Sequence, residues 1–365
     1  MARARSIVAL LLASVAARAA AEPIGLAIAG GKVRLADGTI AVRTVHVRGD
    51  RIAAVDDRPA GPGEAPFDAT GFFVLPAFVD SHVHATLFDP EGLVRGGVGA
   101  AIDLGGPISV FDLPSRVRPL RLFPAGQLLT CRGGYPTTSW GKDGYGREIS
   151  GTTDARKAVD EMADRKAIAI KMALAGSPLL SPPEQSAIVR EAHARKLRVG
   201  AHALLWETVE AAVARGVDFL VHAPVERLPD DLVKRLARRE GSAMIPTLRA
   251  FGATPVARDN VRRFHAAGGR ILYGTDTPNN VAPGIDAAEL GLLVECGLTP
   301  AEAIAAATIE PARYFGLPGL GEIAAGAVAS VIVVDGNPWE DVAAVGHRKL
   351  VVVGGQVIPA TGPLR

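Results

Sequence analysis

The chain has 365 residues, 48 % of them hydrophobic, and a formal charge of +2. That length exceeds one average domain, and that content is ample for a large core. The balanced charge excludes an obvious nucleic-acid binder, because the Lys and Arg residues form no basic stripe. Those near 233–240 alternate with apolar residues and read as a helix face.

Residues 1–21 read as a secretory signal. Met1-Ala-Arg-Ala-Arg5 is a positive start, Ile7-Val-Ala-Leu-Leu-Leu-Ala13 a short apolar core, and Ala19-Ala-Ala21 a cleavage site. The apolar run is shorter than the ~20 residues a bilayer span takes. The mature chain is expected to start near Glu22 and to be periplasmic or secreted, with no stable membrane insertion after cleavage. An uncleaved anchor is the alternative. No cysteine follows the run, which argues against a lipoprotein.

Residues 22–72 carry short strand candidates broken by turns: Leu26–Ala29, Lys32–Leu35, Thr44–Val47 and Arg51–Val55. Gly61–Pro66 reads as a surface loop. Residues 319–365 repeat the style at Val331–Val334 and Leu350–Ile358. Neither flank has enough core alone. The two are expected to pair into one small β-sandwich built from both chain termini.

Between the flanks, over 73–318, strand alternates with helix. Strands are predicted near 74–80, 98–104, 120–130, 167–174, 197–202, 217–222, 242–248 and 270–275. Ser181-Pro-Pro-Glu184 and Thr299-Pro-Ala-Glu302 are capping boxes with proline at the first helical position. Gly216 stops a helix over Trp206–Arg215. The count and length predict an α/β fold, a (β/α)8 TIM barrel of the usual ~250 residues.

The strand ends carry the chemistry. His82 and His84 stand two apart after an apolar run, so both imidazoles leave one face of one strand. Imidazole suits zinc, iron or nickel, although an isolated His-x-His is common by chance. In Ala167–Leu174 the bulky residues alternate with Ala167, Ala169, Lys171 and Ala173. The small face should line an interior, where an unpaired ammonium is costly. Lys171 is therefore held by a site or snorkels from a strand end. Leu197–His202 and Val217–His222 each end in histidine, and Arg270–Asp276 ends in a carboxylate. A single such residue is more often a structural histidine or a helix cap. Together they fall where barrel active sites lie, at C-terminal strand ends.

The loop Thr130–Arg147 is the candidate substrate loop, with Tyr135, Trp140 and Tyr145 beside Arg132, Lys142 and Arg147. A solvated lid is the alternative. Arg249, after Pro246-Thr-Leu248, could hold a substrate carboxylate or make a surface salt bridge. Cys131 and Cys296 are expected to be free thiols.

At this point the chain resembles the amidohydrolase superfamily. The resemblance rests on Asp50-Arg-Ile-Ala-Ala-Val, His82-Val-His84, Lys171, Ala201-His-Ala203, Val221-His-Ala223, Gly274-Thr-Asp276, Gly297-Leu-Thr-Pro-Ala-Glu-Ala and Gly321-Glu-Ile-Ala-Ala-Gly. It spans nearly everything after residue 24. Ile170-Lys171, Glu191–His202 and Pro246-Thr-Leu248 are similar to the metal-dependent peptidase and imidazolonepropionase-related branch. Pro76-Ala77, Ser81 and Ala329-Ser330 depart from the usual pattern, none at a ligand position.

The resemblance implies two divalent metal ions, with zinc the expected metal. His82, His84 and Asp276 would bind one ion, and His202 and His222 the other. Lys171 would be carboxylated and bridge them, and Asp276 would double as the proton shuttle. Such a pair activates water at neutral pH. The implied reaction is hydrolysis of an amide bond in a small molecule, such as a dipeptide or N-acyl amino acid. A lactonase, esterase or phosphotriesterase on the same site is the enzyme alternative. A catalytically inactive metal- or solute-binding barrel is the non-enzyme one. A homo-oligomer is left open.

Overall fold

The computed structural model describes residues 25–360, so the signal segment lies outside the described residues. Among those residues no helix is long and apolar enough to cross a membrane. The N-terminal flank supplies β1 (Gly25–Arg34), β2 (Ile40–Arg48), β3 (Arg51–Asp56), β4 (Glu64–Asp68) and β5 (Phe73–Pro76). Next come β6 (Phe78–Val83), β7 (Val98–Asp103), β8 (Arg121–Pro124), β9 (Leu128–Cys131) and β10 (Gly146–Ile149). They are followed by β11 (Ile170–Ala173), β12 (Val199–His202), β13 (Phe219–Val221), β14 (Ala243–Ile245) and β15 (Arg270–Ile271). The C-terminal flank supplies β16 (Val331–Val334), β17 (Arg348–Val353) and β18 (Gln356–Val357).

Parallel pairing runs β6-β7-β8 and β10-β9-β11-β12-β13-β14-β15. Backbone hydrogen bonds join the two sets. Ile168 N donates to Pro124 O (2.9 Å) on one side. On the other, Ser81 N donates to Tyr273 O (3.0 Å) and His84 N to Thr277 O (2.9 Å). The ring is therefore closed, an α/β barrel of the TIM type. Its layers follow the alternation of the strands. Ile170, Met172 and Leu174 pack outward with helix residues such as Ile188 and Val189. Ala169 faces inward with Val79, Ile102, Val221 and Ile245.

Two predicted strands are divided. The 120–130 segment breaks into β8 and β9 at Gly126, which has φ +85° and sits so tightly that a Cβ would meet Met162 Sδ at 2.5 Å. Only glycine fits both demands. The 74–80 segment changes layer at Ala77, whose N–H donates to Ser330 O (2.8 Å). β5 belongs to the flank and β6 to the barrel. The capping boxes at Ser181 and Thr299 form as expected.

Both ends of the chain meet in one eight-stranded sheet, ordered β18-β17-β16-β5-β1-β2-β3 with β4 beside β1. β1 bulges at Ala29–Gly31, pairing with β4 before the bulge and β5 after it. Hydrogen bonding is thus continuous through both flanks, and Ile52 N to Ala327 O (2.9 Å) and Ala329 N to Asp50 O (2.8 Å) bring β3 back to the segment before β16. Leu26, Ile28 and Val45 from one end share a core with Val331, Val333 and Val352 from the other.

Candidate active site

The C-terminal strand ends bring His82, His84, Lys171, His202, His222 and Asp276 together, none more than 6 % exposed. β6 carries His82 and leads into His84, β11 carries Lys171, and β12 ends on His202. His222 follows β13, and Asp276 closes the segment after β15. Lys171 Nζ lies 3.0 Å from His82 Nε2. Asp276 Oδ1 lies 3.2 Å from His82 Nε2 and 3.1 Å from His84 Nε2. The ring centroids of His82 and His222 are 5.0 Å apart, and those of His202 and His222 4.7 Å. One donor atom each from His82, His222 and Asp276 fall within 4.8 Å of one another, a spacing that fits a metal ion.

Neighbouring groups orient these side chains. His84 Nδ1 meets Gly105 O at 2.7 Å, so Nδ1 carries the proton and Nε2 offers its lone pair. His222 Nδ1 meets Thr247 Oγ1 at 2.6 Å, which fixes the orientation of its ring. Asp80 Oδ1 accepts from His82 N (3.0 Å) and Thr275 N (3.1 Å), tying the two ligand-bearing segments together. Asp103 accepts from Ala85 N and Gly105 N beside His84. Asn279 Nδ2 donates to Asp276 Oδ2 (3.0 Å). His222, Thr247 and Asp276 hold φ of +74°, +44° and +59°. Such non-glycine conformations cost ~1–3 kcal/mol each and cluster at functional sites.

Electrostatics favours cation binding. Burial lowers His82 and His222 well below the usual imidazole range and His202 to about 3, so these rings stay neutral. Burial pushes Asp276 up, but its contacts within the cluster outweigh that and hold the carboxyl well below its ordinary value. Burial lowers Lys171 to about 8. Asp276 Oδ1 is fully buried and makes no well-formed hydrogen bond, and neither does His82 Nδ1. An anionic oxygen converging on imidazole nitrogens without a donor suits a metal cation.

A cavity of about 350 Å³ opens onto this cluster. Tyr135 and Trp140 line it, joined by a Trp140 Nε1 to Tyr135 Oη hydrogen bond of 2.8 Å. Phe251, Leu87, Leu128 and Pro278 complete the apolar wall. Tyr145 does not reach it. Its ring lies behind Trp140 at 5.5 Å, and its Oη accepts from Thr86 Oγ1. The expected cations are elsewhere too. Arg132 and Lys142 are exposed and outside the lining. Arg147 pairs with Asp154 at 2.7 Å. Arg249 pairs with Asp286, the N-cap of helix Ala287–Glu295, at 3.2 Å, and lies outside the cavity lining. Cys131 and Cys296 are free and buried.

Asp80, Asp103, Thr247, Asn279 and Phe251 escaped the sequence reading. Asp80 had a signal, since it shares the strand face of His82 and His84. Asp103 had one too, as another acid at a strand end. Thr247, Asn279 and Phe251 depend on loop paths that periodicity does not describe.

The sequence pattern of the amidohydrolase family matches residues 73–358. The chain belongs to the amidohydrolase family. It is a hydrolase of that superfamily. This amidohydrolase is similar to a dihydroorotase of Anaeromyxobacter dehalogenans, at 26 % identity over 92 % of the chain and 98 % of the relative. It is 25 % identical to an imidazolonepropionase of Deinococcus radiodurans, over 81 % and 86 %. A solved Xaa-Pro dipeptidase with bound methionine superposes with a TM-score of 0.79 at 22 % identity, covering 92 % of this chain and 99 % of that one. That last likeness shows the fold of the amidohydrolase.

Proposed function

We propose that this amidohydrolase cleaves a carbon–nitrogen bond of a small amide with two divalent ions, zinc in the first instance, held at the strand ends. The observation that carries this reading is the convergence of His84, Lys171, His202, His222 and Asp276 on one cavity, with His82 buried against Lys171 and Asp276, and Asp276 Oδ1 buried and unpartnered. His82, His84 and Asp276 would hold one ion, and His202 and His222 the second. The relatives named dihydroorotase and imidazolonepropionase support a carbon–nitrogen target. On the character of residues 1–21, the mature enzyme is assigned to the periplasm or the medium.

Lys171 suits a bridging role once carboxylated. Lowered to about 8, its amine is partly neutral near neutral pH. The neutral Nζ adds to the carbon of carbon dioxide and loses one proton, giving an anionic carbamate. That step replaces a buried cation beside His82 with an anionic ligand.

A divalent pair supplies water of lowered pKa and polarises a carbonyl oxygen. Asp276, with Oδ2 held by Asn279, accepts the proton of the attacking water and passes it to the departing nitrogen. Proton transfer of this kind contributes ~10²–10⁴-fold. His222 depends on Thr247 for its ring orientation. Thr247→Val is expected to weaken metal binding by about 10–100-fold with the barrel intact. Competition with a chelating dye measures this, and unchanged affinity would remove Thr247 from the design.

The reaction itself is tested on a panel of amides, lactones and phosphotriesters. Amide hydrolysis should disappear with a chelator and return with zinc and bicarbonate. Activity that survives chelation, or that is confined to lactones or phosphotriesters, would overturn the reading.

A further inference from the structure

We propose that the substrate is an amide with a compact apolar or aromatic group and no carboxylate, which rests on the carbon–nitrogen hydrolase reading above. Away from the six strand-end residues, the cavity wall is Leu87, Leu128, Tyr135, Trp140, Phe251 and Pro278, with one polar side chain, Asn279. Asn279 is already engaged: its Nδ2 donates to Asp276 (3.0 Å) and its Oδ1 accepts from Asn280 (3.3 Å). Trp140 Nε1 donates to Tyr135 Oη at 2.8 Å, so Trp140 offers a ligand its ring, and Tyr135 offers its ring and one hydroxyl proton.

Those rings are set against the histidines. Tyr135 lies 4.9 Å from His202, Trp140 5.0 Å from His84 and Phe251 4.3 Å from His222, centroid to centroid. A flat or branched apolar group that entered between them would place an attached amide over the strand ends. Aromatic side chains bury large apolar area at fixed geometry. The volume of about 350 Å³ suits a single-ring compound.

A carboxylate finds no free cation on this wall. Lys171, on the cavity floor against His82, is the one Lys or Arg in the lining. Arg147 and Arg249 are tied to Asp154 and Asp286, and Arg132 and Lys142 stay outside. Burying an unpaired carboxylate among rings is strongly disfavoured.

The test compares N-acetylphenethylamine with N-acetylphenylalanine, which differ by the carboxylate alone. On the zinc-loaded full-length enzyme, kcat/KM should favour the neutral compound by ~10-fold or more. Calorimetry on the same protein should rank the two Kd values in the same order. Phe251→Ala should weaken binding of the neutral compound by ~10-fold while zinc content stays unchanged. Equal or better hydrolysis of the acid overturns the inference and leaves the hydrolase reading intact. If neither compound is hydrolysed but the neutral one binds more tightly and responds to Phe251→Ala, the inference holds and the reaction assignment falls. If the neutral compound fails to bind, the inference is wrong.

Discussion

Asp276→Asn is expected to lower kcat by ~10²–10⁴-fold while the fold survives. The amide is nearly the size of the carboxylate but cannot act as a base. Its oxygen can still accept from Asn279, and the backbone stays pinned by the Asp276 N to His82 O hydrogen bond of 2.7 Å. Loss of activity would therefore report lost proton transfer and a weakened ligand rather than a collapsed strand end. Steady-state kinetics and circular dichroism are the measurements. Near-normal turnover with an intact spectrum would assign the proton shuttle to another residue.

Lys171→Met should have an effect of similar size on function and none, or a gain, in the stability of the metal-free protein. The lysine side chain is 1 % exposed, and its ammonium faces His82 Nε2 at 3.0 Å. Methionine has a similar length and carries no charge to desolvate. Replacing a buried ion by a packed apolar side chain is often neutral or stabilising. A bridging ligand behaves differently, because its removal frees a metal position. Metal content should fall to one ion or fewer per chain, and turnover by ~10²-fold or more. Elemental analysis and a thermal melt read the two effects. Unchanged metal content with unchanged turnover would make Lys171 a structural residue.

The residues at the site were legible because strand geometry constrains them. Parity put His82 and His84 on one face, and the small-residue alternation around Lys171 turned it inward. Recurrence at successive strand ends supplied the rest. The cavity wall was less legible. Tyr135 and Trp140 stood out as aromatics in one loop, but nothing in the sequence placed Tyr145 behind them. The partner of Arg249, Asp286, is 37 residues away and belongs to a helix cap. A pairing across that separation has no periodic signature. The fold shows the same division. Alternation and capping revealed the barrel, while the break at Gly126 and the change of layer at Ala77 were set by tertiary packing.

The proposed hydrolysis requires two ions, to be held by His82, His84, Lys171, His202, His222 and Asp276. Elemental analysis of protein prepared with excess zinc and bicarbonate, then freed of unbound metal, measures this directly. The expected result is close to two ions per chain. A consistent single ion would contradict the bridging role of Lys171, and a metal-free protein with full amide hydrolysis would contradict the account as a whole.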